Sequence, residues 1–391
     1  MSSASLDNDN PILIAGCGIG GLSAAIALGR AGFRVHMLER SDTLAADSGT
    51  GIQLGPSATR LLIGWGMEAA LRKCACEPSG VDICDGVSGK TLAAYPLGKE
   101  AEQRYGAPYF TFYRPDLHAV LRETAAATPG VTITTGFEVV DVEETDSGVE
   151  AISATGATVT GRALAGADGI RSPIRRWLNP KVAELDAGIS AWRTVLPAET
   201  ATSAFTGGRI GLWFHPRYHL VHYPVAAGRL INVVAVAKGE DFTAAPPDFR
   251  GWPAPVREGL ALAPDWRRWP LMRLDPLPRW HAGKVAVLGD AAHPIFPFLA
   301  SGGVLAIEDA AVLAQSVAES PADLAAAFAL YAARRRERAT LVVDKSRAMG
   351  GIYHMNGVMR LARNLVLTAM PQTMLARWND WLYGLRIAPG V

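Results

Sequence analysis

The sequence predicts an α/β protein, α+β overall. A parallel-sheet domain built from separated stretches of chain holds an inserted, mostly antiparallel β domain and is followed by a C-terminal helical region. Three observations carry this prediction. The chain opens with a strand, a glycine-rich turn, a helix and a second strand within about 30 residues, which is a βαβ unit. The stretch from Ala187 to Ala237 is strand-like, with period-two alternation in His219–Tyr223 and Leu230–Val236. After Lys284 a buried strand and long alanine-rich helices return, so α/β elements flank a β block.

In chain order, Pro11–Ala15 reads as a strand, Gly20–Gly32 as a helix with Leu22, Ala25, Ile26 and Gly29 on one face, and Phe33–Leu38 as a strand ending at Glu39. Ile52–Leu71 has helical spacing. Val81–Cys84 and Lys90–Tyr95 form a hairpin around Asp85–Gly89. Tyr113–Thr128 is helical from the Arg114-Pro115-Asp116 turn onward, and Val131–Gly161 alternates strands with turn residues as an antiparallel meander. Ala163–Ala167 is a strand leading to Asp168-Gly169. Asp241–Pro278, rich in proline and tryptophan, reads as a helix with extended connectors, and Lys284–Leu288 as a buried strand. Gly302–Glu319, Pro321–Lys345 and a tail through about Leu382 are helical. These elements place a discontinuous first domain at 1–77, 103–181 and 276–345, an inserted sheet at 78–102 and 182–275, and a helical segment at 346–391.

Composition excludes several roles. Among 391 residues, 38 Lys and Arg balance 37 Asp and Glu, so the basic excess that phosphate backbones or anionic lipid demand is absent. Nucleic acid and membrane are not expected partners. The opening Met1–Asn10 has no basic or apolar leader pattern, and no run of about 18 apolar residues follows, which together read as a cytoplasmic protein. Four cysteines are too few for a disulfide scaffold. Glycine, at 40 residues, exceeds the usual share of about 7% and points to places where backbone turns tightly or approaches a ligand.

Gly16-Cys17-Gly18-Ile19-Gly20-Gly21 is a GxGxxG between a strand and a helix, the Rossmann-like dinucleotide signature. Gly16 permits the turn, Gly18 lets backbone approach a pyrophosphate and Gly21 lets the helix close on its strand. The helix N-terminus offers free N–H groups to the phosphates. Glu39 ends the second strand, where a carboxylate accepts ribose hydroxyls and repels a 2′-phosphate; FAD or NAD fits better than NADP. Two further motifs follow strands: Gly166-Ala167-Asp168-Gly169 and Gly289-Asp290-Ala291-Ala292-His293-Pro294. Gly302-Gly303-Val304 opens a helix whose N–H groups and dipole suit negative charge on a reduced cofactor.

Other patterns carry no site. Gly89-Lys90-Thr91 lacks the first P-loop glycine, since residue 84 is cysteine. His215, His219 and His222 are split by strand alternation, so no metal is expected. Cys74-Ala75-Cys76 is not a CxxC, and Arg334–Arg338 reads as a solvated helix face.

Taken together, the GxGxxG with Glu39, Tyr113-Arg114-Pro115-Asp116-Leu117, Asp168-Gly169, Gly289-Asp290 and Ala306-Ile307-Glu308-Asp309-Ala310 resemble the group A flavin-dependent monooxygenases, the para-hydroxybenzoate hydroxylase fold. Within them the chain is similar to the salicylate and 3-hydroxybenzoate hydroxylase branch. The resemblance implies FAD held by Gly16, Gly18, Ile19, Gly20, Gly21, Glu39, Arg40 and Gln53. It extends that set to Arg114, Asp168, Gly169, Gly289, Asp290, Gly302, Gly303 and Val304, with Asp290 on the ribityl chain. It also implies Pro297 beside a bound aromatic ring, and His219 and Tyr223 lining the substrate pocket. A histidine near its ordinary pKa would take a phenol proton there, and Tyr223 would orient the ring. Where the family commonly shows Gly-Gln, this chain has Ala300-Ser301, which removes that glutamine's contact.

The implied activity is hydroxylation of a phenolic or hydroxy-heteroaromatic acid with NADH or NADPH and O2 through a flavin C4a-hydroperoxide, with or without loss of the carboxylate. The protein would act as a monomer or homodimer. Rival readings are an epoxidase or halogenase of the same fold, although the halogenase WxWxIP pattern is missing at Trp192–Pro197, and a non-catalytic flavin- or NAD-binding protein.

Overall fold

The computed structural model describes residues 10–44, 49–146, 148–263 and 265–390. Met1–Asp9 and Ser147 of the Asp146-Ser147-Gly148 turn lie outside the described residues.

Ile12–Ala15 is apolar and buried throughout, as the centre of a parallel sheet covered on both faces requires. It pairs in parallel with Val35–Leu38 and with Ala163–Gly166. The helix Ile19–Arg30 makes the first crossover and lies against the later helix Gly302–Glu319. The full order is His281–Ala282, Val285–Val287, Ala163–Gly166, Ile12–Ala15, Val35–Leu38 and Val131–Thr134. Distant stretches of chain therefore share one sheet, and the loops at its carboxyl ends converge.

The second large sheet runs Arg267–Arg273, Leu185–Pro197, Leu230–Lys238, Tyr218–Val225, Ile210–Phe214, Gly80–Asp85 and Thr91–Pro96. Its pairings are antiparallel except Ile210–Phe214 with Gly80–Asp85, which is parallel. Alternation along Tyr218–Val225 sorts its faces. Tyr218 and Leu220 pack with Trp213, Phe242 and Trp252, whereas Val221, Tyr223 and Val225 pack toward Phe298 and Tyr353.

Four expected elements differ. Ile52–Leu71 is not one helix: Gly51–Leu54 is a strand paired with Phe110–Tyr113, Pro56 at the first helical position starts Pro56–Gly64, and Gly66 at φ +87° breaks the chain before Glu68–Cys74. The meander is shorter than expected, because Val131–Thr134 pairs in parallel with Val35–Leu38 and only Val139–Gly161 forms three antiparallel strands. A period-two run does not name its partner. Within Asp241–Pro278, beyond the helix Ala254–Ala261, Arg267–Arg273 is a strand. Pro270 is tolerated there because the strand lies at the sheet's edge. The last long helix runs Leu324–Tyr353, past Lys345 and through Gly350-Gly351, since the side-chain-free Gly350 admits the Phe298 ring at 2.9 Å from where a Cβ would sit. Gly357–Ala369, Gln372–Arg377 and Asp380–Tyr383 complete the helical tail.

Candidate functional site

The first glycine loop is built for a ligand that approaches backbone. Gly16 has φ +98°, and a Cβ there would stand 2.7 Å from the Ala167 carbonyl, so only glycine fits. A Cβ at Gly18 would meet nothing within 4 Å, and no side chain caps the helix Ile19–Arg30 that it starts. The first-turn N–H groups, Ile19 and Gly20 among them, therefore have no side-chain cap. Gly21 lets the helix close on the turn, since its Cβ would collide with the Gly16 carbonyl. Glu39 locks the loop: its Oε2 accepts from Cys17 N at 2.7 Å and its Oε1 from Ser41 N at 3.0 Å, while Arg40 is exposed. Burial, with the Glu39 charge beside it, pushes the Cys17 thiol up to about 12, so this cysteine is an inert packing residue.

The other two motifs join this cleft. Asp168 follows its strand, and its Oδ1 is buried without a hydrogen-bond partner. Burial raises its carboxyl above the usual range. Gly169, at φ +78°, has open space where a Cβ would be. Asp290 is solvent-exposed on the turn that follows Val285–Val287. Desolvation by the surrounding protein raises its carboxyl too, opposed by His293 and Arg114. Gly289 (φ +60°) is held by its N–H donating to Asp309 Oδ2 at 2.9 Å. Asp309 also accepts from His293 and, at 2.7 Å, from Arg335 Nε, and Arg335 pairs with Glu308 at 2.9 Å. This buried ion network fixes the Gly289-Asp290 turn from behind, and it corrects the reading of Arg334–Arg338 as a solvated face, since Arg335 is buried and Arg338 also pairs with Glu308.

Gly302–Glu319 also begins without a side-chain cap, because Ser301 Oγ donates to Leu299 O at 2.8 Å instead. Its N-terminal N–H groups are free, beside Gly303, whose missing Cβ leaves room for Ile52, and buried Val304. Ala300 holds φ +49°, a left-handed conformation that costs about 1–2 kcal/mol for a residue with a Cβ. Ala300→Gly is accordingly expected to raise the unfolding free energy by up to about 1 kcal/mol in denaturant titration; a lower value would place the strain elsewhere.

Beyond Pro297, a cavity of about 450 Å³ opens between the inserted sheet and the C-terminal helices. Gln53 and Pro297–Ala300 line its inner end, where Tyr109 Oη donates to Gln53 Oε1 at 2.7 Å. Tyr223 is buried beside Gly51 and Asn232; burial pushes its hydroxyl up to about 12, opposed by the Arg193 charge and a Gln53 hydrogen bond. It backs Gln53 and does not line the cavity.

The expectation for His219 is corrected. Its ring is 1% exposed, stands behind Phe298 and Tyr353 with centroids 5.2 and 5.0 Å away, and its Nδ1 pairs with His354 Nε2 at 2.9 Å. Burial, then the His354 ring, drives its pKa well below the ordinary histidine value, so it is not the near-neutral base that the sequence suggested. His222 faces the opposite side, against Phe205 and Trp213, and among the described residues no cluster of His, Cys, Asp or Glu suits a metal.

The sequence reading missed the outer wall. Helix Gly357–Ala369 turns Arg360 and Asn364 inward onto Asp85, which is fully buried and accepts from Arg360 at 2.8 and 3.0 Å and from Asn364 at 2.7 Å. Burial alone would raise the Asp85 carboxyl; the Arg360, Ser88 and Asn364 hydrogen bonds outweigh it and hold the pKa far below the usual range. The folded pKa being depressed, this stabilisation is present above the unfolded value of about 3.9 and is lost as pH falls through the folded one. Asp85→Asn is therefore expected to lower Tm at neutral pH, with the gap to the parent closing below about pH 4. A gap unchanged down to acid would show that the ion pair does not hold the helix.

Two uncapped helix N-termini, the open Gly18 and Gly169, the orphaned Asp168 oxygen and the solvent-accessible Asp290 fit a long ligand with a pyrophosphate, sugar hydroxyls and a polar ring edge. That ligand is FAD: the FAD binding domain family matches residues 9–221 and 258–346, and the chain belongs to it, as a group A FAD-dependent aromatic monooxygenase. Among relatives, it is 35% identical to 3-hydroxybenzoate 6-hydroxylase 1 of Aquipseudomonas alcaligenes, over 96% of this chain and 98% of that protein. It is 32% identical to 3-hydroxybenzoate 6-hydroxylase of Polaromonas naphthalenivorans (strain CJ2), over 97% of each. Among solved structures, Klebsiella pneumoniae HpxO complexed with FAD and uric acid superposes with a TM-score of 0.85 at 23% identity, covering 98% of this chain and 99% of that one.

Proposed function

We propose that the enzyme uses NADH or NADPH and O2 to hydroxylate a phenolic or hydroxy-heteroaromatic ring held in the cavity beyond Pro297. The carrying observation is that Gln53 and Pro297–Ala300 line the cavity and both adjoin the Gly302-Gly303 helix start, Ala300 along the chain and Gln53 through its neighbour Ile52, which packs against Gly303. Bound FAD accepts the hydride and activates the oxygen; the chain's residues bind, orient and keep water out. The Gly18–Gly21 turn and its helix would hold the pyrophosphate, Glu39 the ribose, Asp290 and Arg114 the middle of the cofactor, and Gly302 and Gly303 N–H groups the pyrimidine edge. Residues 1–77, 103–181 and 276–345 would make up this cofactor domain, 78–102 and 182–275 the substrate sheet, and 346–391 its helical cover.

Pro297 would lie against the substrate ring. The Tyr109–Gln53 pair offers it a polar contact, and Tyr223 holds Gln53 from behind. His219 becomes a positioning residue for Phe298 and Tyr353. Because it is already neutral near pH 7, His219→Asn is expected to leave the shape of the kcat profile between about pH 5 and 8 unchanged. Disappearance of an ionisation in that range would restore His219 as the base.

The relatives named above carry 3-hydroxybenzoate in their names, a phenol bearing a carboxylate. The reading is tested by supplying phenolic rings to the FAD-loaded enzyme and comparing NAD(P)H consumed with hydroxylated product and peroxide. Product matching reductant supports it; peroxide alone from every ring contradicts it.

A further inference from the structure

Resting on the hydroxylase reading, we propose that the cavity is built for an uncharged aromatic substrate carrying an apolar extension, with the ring at the Gln53–Pro297 end and the extension leading out between the last helices. Size is the first argument. A cavity of about 150 Å³ already holds a benzene ring, whereas this one has about 450 Å³. Gly16, Glu39, Arg114, Asp168 and Asp290 do not line it, so the extra space lies outside the cofactor's phosphate and sugar sites.

The shape gives the direction. The inner end is buried, with Gln53 8%, Tyr109 4% and Phe298 8% exposed, while Met359, Val366 and Trp378 at the other end are 59%, 57% and 55% exposed. Ile352, Met349 and Leu367 also belong to the wall. A substrate with only a polar ring would leave that apolar passage in water, and filling it removes apolar surface from solvent.

Charge is the second argument. Arg363 is the one charged side chain among the described residues lining the cavity, and four of its five N–H donors are committed. Nη1 donates to Ile352 O at 2.9 Å and Tyr353 O at 3.1 Å, while Nε and Nη2 donate to Asn364 Oδ1 at 3.1 and 2.8 Å. Asp85 lies 4.0 Å away, and the guanidinium covers the Phe214 ring at 4.7 Å. Of the other cations on this face of the sheet, Lys238 and Arg267 lie across from Ile189 and Arg193, and Arg193 stands in the cross-strand row Arg193, Val234, Val221, Leu212, stacked over Trp269 at 5.3 Å with its Nε buried and unpartnered. Val221 and Leu212 line the cavity; Arg193 does not. A carboxylate entering this space would lose hydration without meeting a free cation on the cavity wall, Arg193 lying behind it.

The test titrates FAD-loaded enzyme with 3-pentylphenol, 3-methylphenol and 3-hydroxybenzoate, reading perturbation of the flavin spectrum and then hydroxylated product under NAD(P)H. Each methylene buried is worth about fourfold in affinity, so 3-pentylphenol should bind at least about tenfold more tightly than either single-ring compound. Val366→Asp, at the exposed mouth, should erase most of that advantage while the protein stays folded. 3-Hydroxybenzoate binding as tightly as 3-pentylphenol overturns the proposal and points to Arg193 as the partner of its carboxylate. No perturbation by any phenol also overturns it. Tight 3-pentylphenol binding with only peroxide released would uphold the cavity's preference and contradict the hydroxylase reading instead.

Discussion

Asp290→Ala is expected to purify without FAD. The carboxylate sits solvent-exposed on the turn after Val285–Val287, and Arg114 and His293 are the charges that face it. On the proposed assignment, removing it takes away a charged acceptor for the middle of the cofactor. Hydrogen bonds to charged groups are worth about 1.5–3 kcal/mol each, so the loss of one or two weakens binding by roughly tenfold to 10⁴-fold. Absorbance of the purified variant near the flavin bands, against its protein content, reads the outcome. A variant as fully loaded as the parent would contradict the assignment.

The second large effect is on stability. Asp309→Ala is expected to destabilise the protein by about 3–5 kcal/mol, the range for removing one partner of a buried ion pair. Asp309 is fully buried and holds three donors: Arg335 Nε, the His293 ring and the Gly289 N–H. Burial raises its carboxyl, but His293 and Arg335 outweigh that and hold it at about 2. With alanine, the Arg335 guanidinium keeps only Glu308 as a partner in the same buried place. Denaturant titration of the apoprotein separates this from cofactor loss; a change below about 1 kcal/mol, as for an exposed pair, would show the network to be dispensable.

The parts of the fold readable from sequence are those whose chemistry is local. The Gly16–Gly21 turn, Glu39, Asp168-Gly169 and Gly289-Asp290 each follow a strand of one sheet, and glycine at a positive φ or beside an open space leaves a mark in a single chain. The face alternation of His219, Val221 and Tyr223 was readable for the same reason. What faces them was not. Phe298, Tyr353 and His354 reach His219 from elements far along the chain, and the helix that brings Tyr353 runs through two glycines that usually end helices. The cavity's outer wall was hidden for a different reason. Gly357–Ala369 turns Arg360, Arg363 and Asn364 inward while Leu361 and Leu365 are 64% and 72% exposed, which reverses the usual amphipathic rule. Buried Asp85, which accepts from Arg360 and Asn364, and the Ile352 and Tyr353 carbonyls, which accept from Arg363, account for that orientation, and Asp85 read as a hairpin turn residue.

The most direct test of the central claim, that the space beyond Pro297 is where an aromatic ring receives oxygen, is turnover of the FAD-loaded enzyme with NAD(P)H and a bound phenol under ¹⁸O₂. The account predicts a hydroxylated ring carrying one labelled oxygen, formed in step with NAD(P)H consumption and suppressed when the Met359–Val366 mouth is blocked by Val366→Trp. Unlabelled hydroxyl from water, or labelled peroxide with the ring unchanged, would contradict it.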